Sequence, residues 1–409
     1  MRRIKAYILV LAAVLLSACN GFDIPHKGPF KQVLIYYALG YNNLYYQLGL
    51  DYEEIGEGIL PSLSSDKAIV AYCHLSDGAD YVTPNDPVLV RIYRGARGQT
   101  VMDTVKVYEG IARPASKEAV RSALEDIQQM YPSEHYGMLV SSHGTGWLPA
   151  DYESYTESSY LRSRAVEPER QWPPTKALAN QYSGTGSRIR VNWMDVSDFA
   201  QAIPMKLDYL ILDACLMGAV EVAWMFKDIC DYLVVSPTEV MDTGMIYKTL
   251  SWDMLSGPEA DLRTYCQEYF DFYDSQSGSY RSATIALVDC SALGDLADAF
   301  ARILSAHRNA LVPGLIKTVQ RYYYNSSPYR CFYDLRDLCV QLGASQSELA
   351  TLDEALSRCV LYHAETPTFF DLPLERCCGL SVYIPETVRP RLNAFYKQFD
   401  WNDRVRLLP

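Results

Sequence analysis

Two short segments constrain this chain more than anything else in it. The apolar run Tyr136-Gly137-Met138-Leu139-Val140 leads directly into Ser141-Ser142-His143-Gly144, and Leu210-Ile211-Leu212 leads into Asp213-Ala214-Cys215. Short apolar runs of this kind read as buried strands. Each delivers a reactive side chain where a strand ends, and in open α/β sheets that carboxyl edge is where ligands bind. A histidine and a cysteine presented there supply a proton-transfer partner and a nucleophile, the minimum for a thiol hydrolase.

The surrounding pattern fits such a sheet. Residues 32–39, 68–73, 207–212 and 232–235 read as buried strands, and 88–94 with 100–108 as a hairpin around Gly95 and Gly98. Ser116 is placed to cap a helix running to about residue 130, before Pro132. Helical spacing over 43–58, 196–203 and 219–229 alternates with these strands, which predicts a mostly parallel sheet with helices on both faces. Residues 149–191 are rich in Ser, Tyr, Pro and charge, show little periodicity, and read as a long surface loop. Beyond about residue 250 the pattern is mainly helical, with strands returning at 283–288 and 379–384. The expected division is a leader, 1–18; a tether, 19–30; a catalytic domain, 31–250; and a C-terminal part, 251–409, packed on or extending the same sheet.

The leader carries Arg2, Arg3 and Lys5 ahead of an apolar core at 8–16 that is too short to span a bilayer. Leu16-Ser17-Ala18-Cys19 resembles a bacterial lipoprotein box. The resemblance implies cleavage before Cys19 and diacylation of its sulfur, enough for stable membrane anchoring. The competing reading is an ordinary secretory signal with a chance cysteine. The lipoprotein reading places the protein in a bacterial cell envelope, facing the periplasm or the cell surface. Loss of the three leader cations moves the net charge from −12 to −15. That argues against nucleic acid as a partner and mildly favours basic substrates.

Eleven cysteines occur. With Cys19 assigned to lipid and Cys215 to chemistry, an odd number remains, so at least one stays unpaired. No C-x-x-C pair is present, which leaves neither a zinc ribbon nor a thioredoxin motif. An envelope location permits disulfides, and spacing does not select a pair.

His-Gly after one strand and Ala-Cys after the next resembles the caspase-like clan of cysteine peptidases, and within it the clostripain family. The 37–44 segment Tyr-Ala-Leu-Gly-Tyr-Asn-Asn-Leu is similar to that family's first strand and turn. His143-Gly144-Thr145-Gly146-Trp147 is similar to its histidine loop, and the 213–222 run Asp-Ala-Cys-Leu-Met-Gly-Ala-Val-Glu-Val to its nucleophile motif. Gly379 to Pro385 is similar to a C-terminal strand motif. The resemblance spans about 30–400. It implies a caspase-like three-layer α/β sandwich and an endopeptidase acting on protein or peptide substrates through a thioester.

In that scheme Cys215 is the nucleophile and His143 the general acid–base, and the backbone N–H groups of Gly144 and Cys215 face the developing oxyanion. A helix starting near Ala219 is expected to favour the thiolate through its N-terminus. Asp213 resembles the family position at the base of the primary specificity pocket, which implies cleavage after Arg, then Lys. Asp242 is a candidate for the pocket rim. His74, also at a strand end, is the rival histidine, but Leu75 follows it rather than glycine. Arg162, Arg164, Arg170, Lys176, Arg188 and Arg190 in the 149–191 loop offer sites for self-cleavage. No cofactor is required; some relatives use calcium, but no Asp-x-Asp-x-Asp loop occurs. One segment departs from the family: Pro237 and Thr238 follow Ser236 where two carboxylates are expected, and Met245 replaces a tryptophan. The alternative function is a catalytically inactive surface-binding lipoprotein on the same fold. Retention of both His143 and Cys215 argues against it, and a thioredoxin-like redox protein lacks its second cysteine.

Overall fold

Runs of Val, Ile, Leu and Tyr without a polar break become the middle of a nine-stranded sheet. In chain order the strands are β1 (Gln32–Gly40), β2 (Lys67–Leu75), β3 (Val88–Arg94), β4 (Thr100–Val107), β5 (Tyr136–Ser141), β6 (Leu207–Asp213), β7 (Cys230–Val235), β8 (Thr284–Asp289) and β9 (Val360–Glu365). They lie side by side as β9-β8-β7-β6-β5-β1-β2-β3-β4. This computed structural model describes residues 24–40, 42, 44–75, 86–111, 113–150, 152, 181–183, 190–192, 194–312 and 314–409. The five strands from β7 to β2 are mutually parallel. Only β3 and β8 run against this direction, so the sheet is mostly parallel and its other seven strands share one carboxyl edge.

Every residue of β1 and of β5 is buried, so both faces of the sheet are covered. Parallel strands between two helical layers need this continuous apolarity. The helices that matter below are α1 (Tyr45–Glu57), α2 (Lys117–Met130), α3 (Val196–Ala202), α4 (Val220–Phe226), α5 (Leu262–Asp274) and α6 (Pro390–Tyr396). Ser116 caps α2 as expected, its Oγ accepting the Ala119 N–H at 3.2 Å. Val120, Ala123, Leu124 and Ile127 form its buried stripe. The result is a mixed α/β sandwich with its core on both sides of the sheet. Strands β8 and β9, from beyond residue 250, continue the sheet through β7.

Two expectations change. In the 379–384 segment only Ser381–Val382 forms a strand, paired with Tyr333–Asp334 outside the main sheet. Its backbone donors go elsewhere: Ser381 N–H bonds the Gly218 carbonyl and Tyr383 N–H bonds Glu221, each at 2.8 Å. The 149–191 segment is not wholly loop either, since Gln181–Ser183 pairs antiparallel with Arg190–Asn192. The other basic residues of that segment, and Cys19 with its leader, lie outside the described residues. Among the described residues no helix is long and apolar enough to cross a membrane. All ten described cysteines are free, the Cys230 and Cys290 sulfurs lying 3.8 Å apart.

Gly137 on β5 stands opposite Tyr209 on β6. A Cβ there would fall 1.8 Å from the Tyr209 ring, so the missing side chain is what lets that ring lie across the strand. Gly137→Ala is expected to destabilise the fold by about 1–3 kcal/mol through overpacking. An unchanged thermal midpoint in this variant would refute that account of the β5–β6 contact.

Candidate active site

Strands β5 and β6 are adjacent and parallel, with Ser141 opposite Asp213. His143 and Cys215 each follow two residues later, so their loops leave the sheet side by side. The loops touch directly. A Cβ on Gly144 would stand 2.5 Å from the Cys215 carbonyl oxygen and 2.7 Å from its nitrogen; one on Gly146 would stand 2.6 Å from the Leu216 oxygen. Only glycine allows this approach, and Gly146 also has φ of +58°. His74 is the penultimate residue of β2, separated from β6 by β1 and β5. At about 4.8 Å per strand that is roughly 14 Å away. Topology therefore brings His143, and not His74, to Cys215.

Cys215 is buried, and its Sγ accepts the Val240 N–H at 3.1 Å. The next residue, Leu216, has φ of +62°, a left-handed conformation that leucine rarely adopts. Such strain persists only where neighbours hold it. Here Leu216 N–H bonds the Thr238 oxygen at 2.8 Å and Gly218 N–H the Ser236 oxygen at 2.7 Å. The 236–240 segment is thus a cradle for the nucleophile loop. The hydroxyls of Ser236 and Thr238 each meet that of Thr284 at 2.8 Å, fixing the cradle to β8. Glu239 in the same segment is buried and accepts Ser327 Oγ at 2.9 Å. Pro237 and Thr238, the departure from the family pattern, are part of this support.

Helix α4 begins at Val220 with Ala219 as its N-cap, where the sequence placed its start, five residues beyond Cys215. The Val240 backbone meets the sulfur on both sides, its N–H donating to Sγ at 3.1 Å and its oxygen lying 3.5 Å from Sγ as acceptor.

Asp213 is completely buried. Its Oδ2 accepts from Ser141 Oγ at 3.2 Å and from the Tyr247 hydroxyl. Burial, and then the Asp213 charge, hold the Tyr247 phenol well above its ordinary range, so it remains a donor. Tyr36, Tyr265, Tyr269 and Tyr273 are likewise raised, chiefly by burial, and each also feels Asp213. Asp51, buried on α1, acts on Tyr36, Tyr247, Tyr265 and Tyr273. Asp242 is partly buried in a turn whose Gly244 carbonyl accepts the Tyr273 hydroxyl at 2.8 Å. Asp213 and Asp242 therefore flank one tyrosine cluster. Sequence reasoning missed that cluster, and Asp51 with it. The available signal was Tyr265, Tyr269 and Tyr273 at i, i+4 and i+8, one face of α5. Among the described residues no group of three His, Cys, Asp or Glu is arranged to hold a metal ion.

Residues 172–405, more than half of the chain, match the clostripain family; the span contains Cys215 and not His143. The structure of an inactive zymogen C11 protease from Parabacteroides distasonis is 26% identical, with a TM-score of 0.74 over 93% of this chain and 99% of its own. A secreted C11 cysteine protease from Bacteroides thetaiotaomicron gives 0.74 at 23% identity, over 93% of this chain and 100% of its own. A secreted C11 protease of the same organism, in complex with an irreversible peptide inhibitor, gives 0.71 at 20% identity over 92% and 99%. At these identities the last two speak to the fold alone. No curated protein matches the chain. The fold is that of the caspase-like C11 proteases, and the chain belongs to the clostripain family of cysteine peptidases.

Proposed function

We propose that this peptidase is a lipid-anchored endopeptidase that cleaves after Arg, then Lys, through a His143–Cys215 dyad. The observation that carries the dyad is the seating of the His143-Gly144 loop directly on the Cys215 backbone. The Cys215 thiolate attacks the scissile carbonyl, the C–N bond breaks, and His143 protonates the departing amine. A water then attacks the thioester while His143 accepts its proton, releasing the acid and restoring the thiol. Gly144 and Cys215 N–H groups receive the oxyanion, and the missing Cβ of Gly144 keeps that space open. No cofactor enters these steps, and calcium has no assigned site.

Specificity for Arg is supported by Asp213 beneath the nucleophile and Asp242 beside the same tyrosine cluster. A guanidinium reaching Asp213 exchanges with the Tyr247 hydroxyl for a two-pronged, charge-assisted contact. Self-cleavage within 149–191 is supported by the basic residues there and by the relative described as an inactive zymogen. The Leu16-to-Cys19 box supports anchoring in the envelope through Cys19.

Profiling residues 20–409 against a peptide library tests the reading as a whole. Cys215→Ala and His143→Ala should each abolish turnover without loss of fold; retained activity in either sinks the dyad. Asp213→Asn should lose roughly 30- to several-thousand-fold on Arg substrates, the equivalent of about 2–5 kcal/mol. A library preference for Asp, Asn or large apolar residues would remove the pocket assignment and leave the dyad standing. Gly144→Ala should lower kcat by about 100-fold by pushing the two loops apart, with a native circular dichroism spectrum. Finally, Cys19→Ser should abolish palmitate labelling and partition of the full chain into detergent; labelling that survives would mean the anchor lies elsewhere.

A further inference from the structure

We propose that Glu221 is a positioning residue for peptide hydrolysis, holding residues 381–396 as a clamp across the loops that carry Cys215 and His143. This rests on the dyad reading above. Glu221 is the second residue of α4, six positions after Cys215, and is completely buried. Its Oε1 accepts two hydrogen bonds from the C-terminal part: Tyr383 N–H at 2.8 Å and the Tyr396 hydroxyl at 2.7 Å. An unpaired buried carboxylate is costly, so these donors and the acceptor depend on one another.

The same two tyrosines reach the other loop. Their rings lie 4.9 Å apart and both pack on Trp147, at 4.8 Å for Tyr383 and 5.1 Å for Tyr396. Trp147 is completely buried and follows His143 by four residues. Between them Ser381 binds the Gly218 carbonyl by its N–H at 2.8 Å and its Oγ at 3.3 Å. One carboxylate oxygen thus ties the clamp to the cysteine loop, while the aromatic stack ties it to the histidine loop. In this proposal the residue acts through the loops.

The carboxyl is held near neutrality by its surroundings. Burial pushes it up to about 7, opposed by the Tyr383 and Tyr396 bonds. Cys331, which accepts from Arg389 at 2.8 Å, also faces it, and Lys227, Asp228 and Asp400 line the cleft outside. The uncharged isostere Gln keeps an oxygen for both donors and avoids burying a charge.

The test compares purified Glu221→Ala, Glu221→Gln, Tyr396→Phe and the Ala/Phe double variant on one Arg peptide substrate, at a temperature well below each thermal midpoint. Glu221→Ala and Tyr396→Phe should each lower kcat by about 10- to 100-fold with KM changed less than twofold. The double variant should be no slower than Glu221→Ala, and Glu221→Gln should stay within about threefold of the parent. The proposal is overturned by a parental kcat in Tyr396→Phe, by a change confined to KM, or by losses that multiply in the double variant. Tyr396→Phe keeps the ring on Trp147 and removes only the hydroxyl, so it decides the matter even where Glu221→Ala does not fold. Loss of the dyad reading is recognised separately, by an active Cys215→Ala.

Discussion

The register between two parallel strands governs everything at this site. With Ser141 opposite Asp213, the histidine and cysteine loops leave the sheet at the same height, and Gly144 lands on the backbone of Cys215. A slip of one residue would shift β6 by about 3.3 Å and turn its side chains to the other face. Asp213 would then leave Ser141 and Tyr247, and Gly144 would no longer meet Cys215. Three contacts prevent this: the Tyr209 ring across Gly137, the Ser141–Asp213 hydrogen bond, and apolar burial along β5 and β6.

Beneath that register lies a carboxylate with no exposure to solvent. A charge so placed is tolerable only when donors surround it. Ser141 and Tyr247 supply two, and Tyr36, Tyr265, Tyr269 and Tyr273 enclose the region with side chains that are apolar along their bodies and polar at the tip. Part of the unusual tyrosine content is accounted for by this enclosure. It keeps the Asp213 environment dry, and a dry environment strengthens any ionic contact made there.

Much of this was legible in one dimension. Continuous apolar runs identified β1, β2, β5, β6 and β7 because strands buried on both faces leave no alternation to read. Ser116 announced α2 because an N-cap bond is made three residues away. The residues that sequence reasoning missed share a different physical character. Val240 acts on the sulfur through its backbone N–H, which no side-chain pattern encodes. The 379–384 segment looked like a sheet strand because its composition is that of one; its donors are taken by Gly218 and Glu221, more than 160 positions earlier. Pro237 and Thr238 read as a departure from the family pattern, and in the fold they support a strained turn.

That turn has a consequence for the order in which the molecule is made. Leu216 holds a left-handed backbone in a loop that is bonded to Ser381, and Ser381 is synthesised 163 residues after Gly218. A nascent chain that has emerged as far as β7 already carries its cysteine and its histidine. It lacks β8, which anchors the cradle through Thr284, and it lacks Ser381, Tyr383 and Tyr396. Vectorial synthesis thus delivers the reactive groups first and their fastenings last.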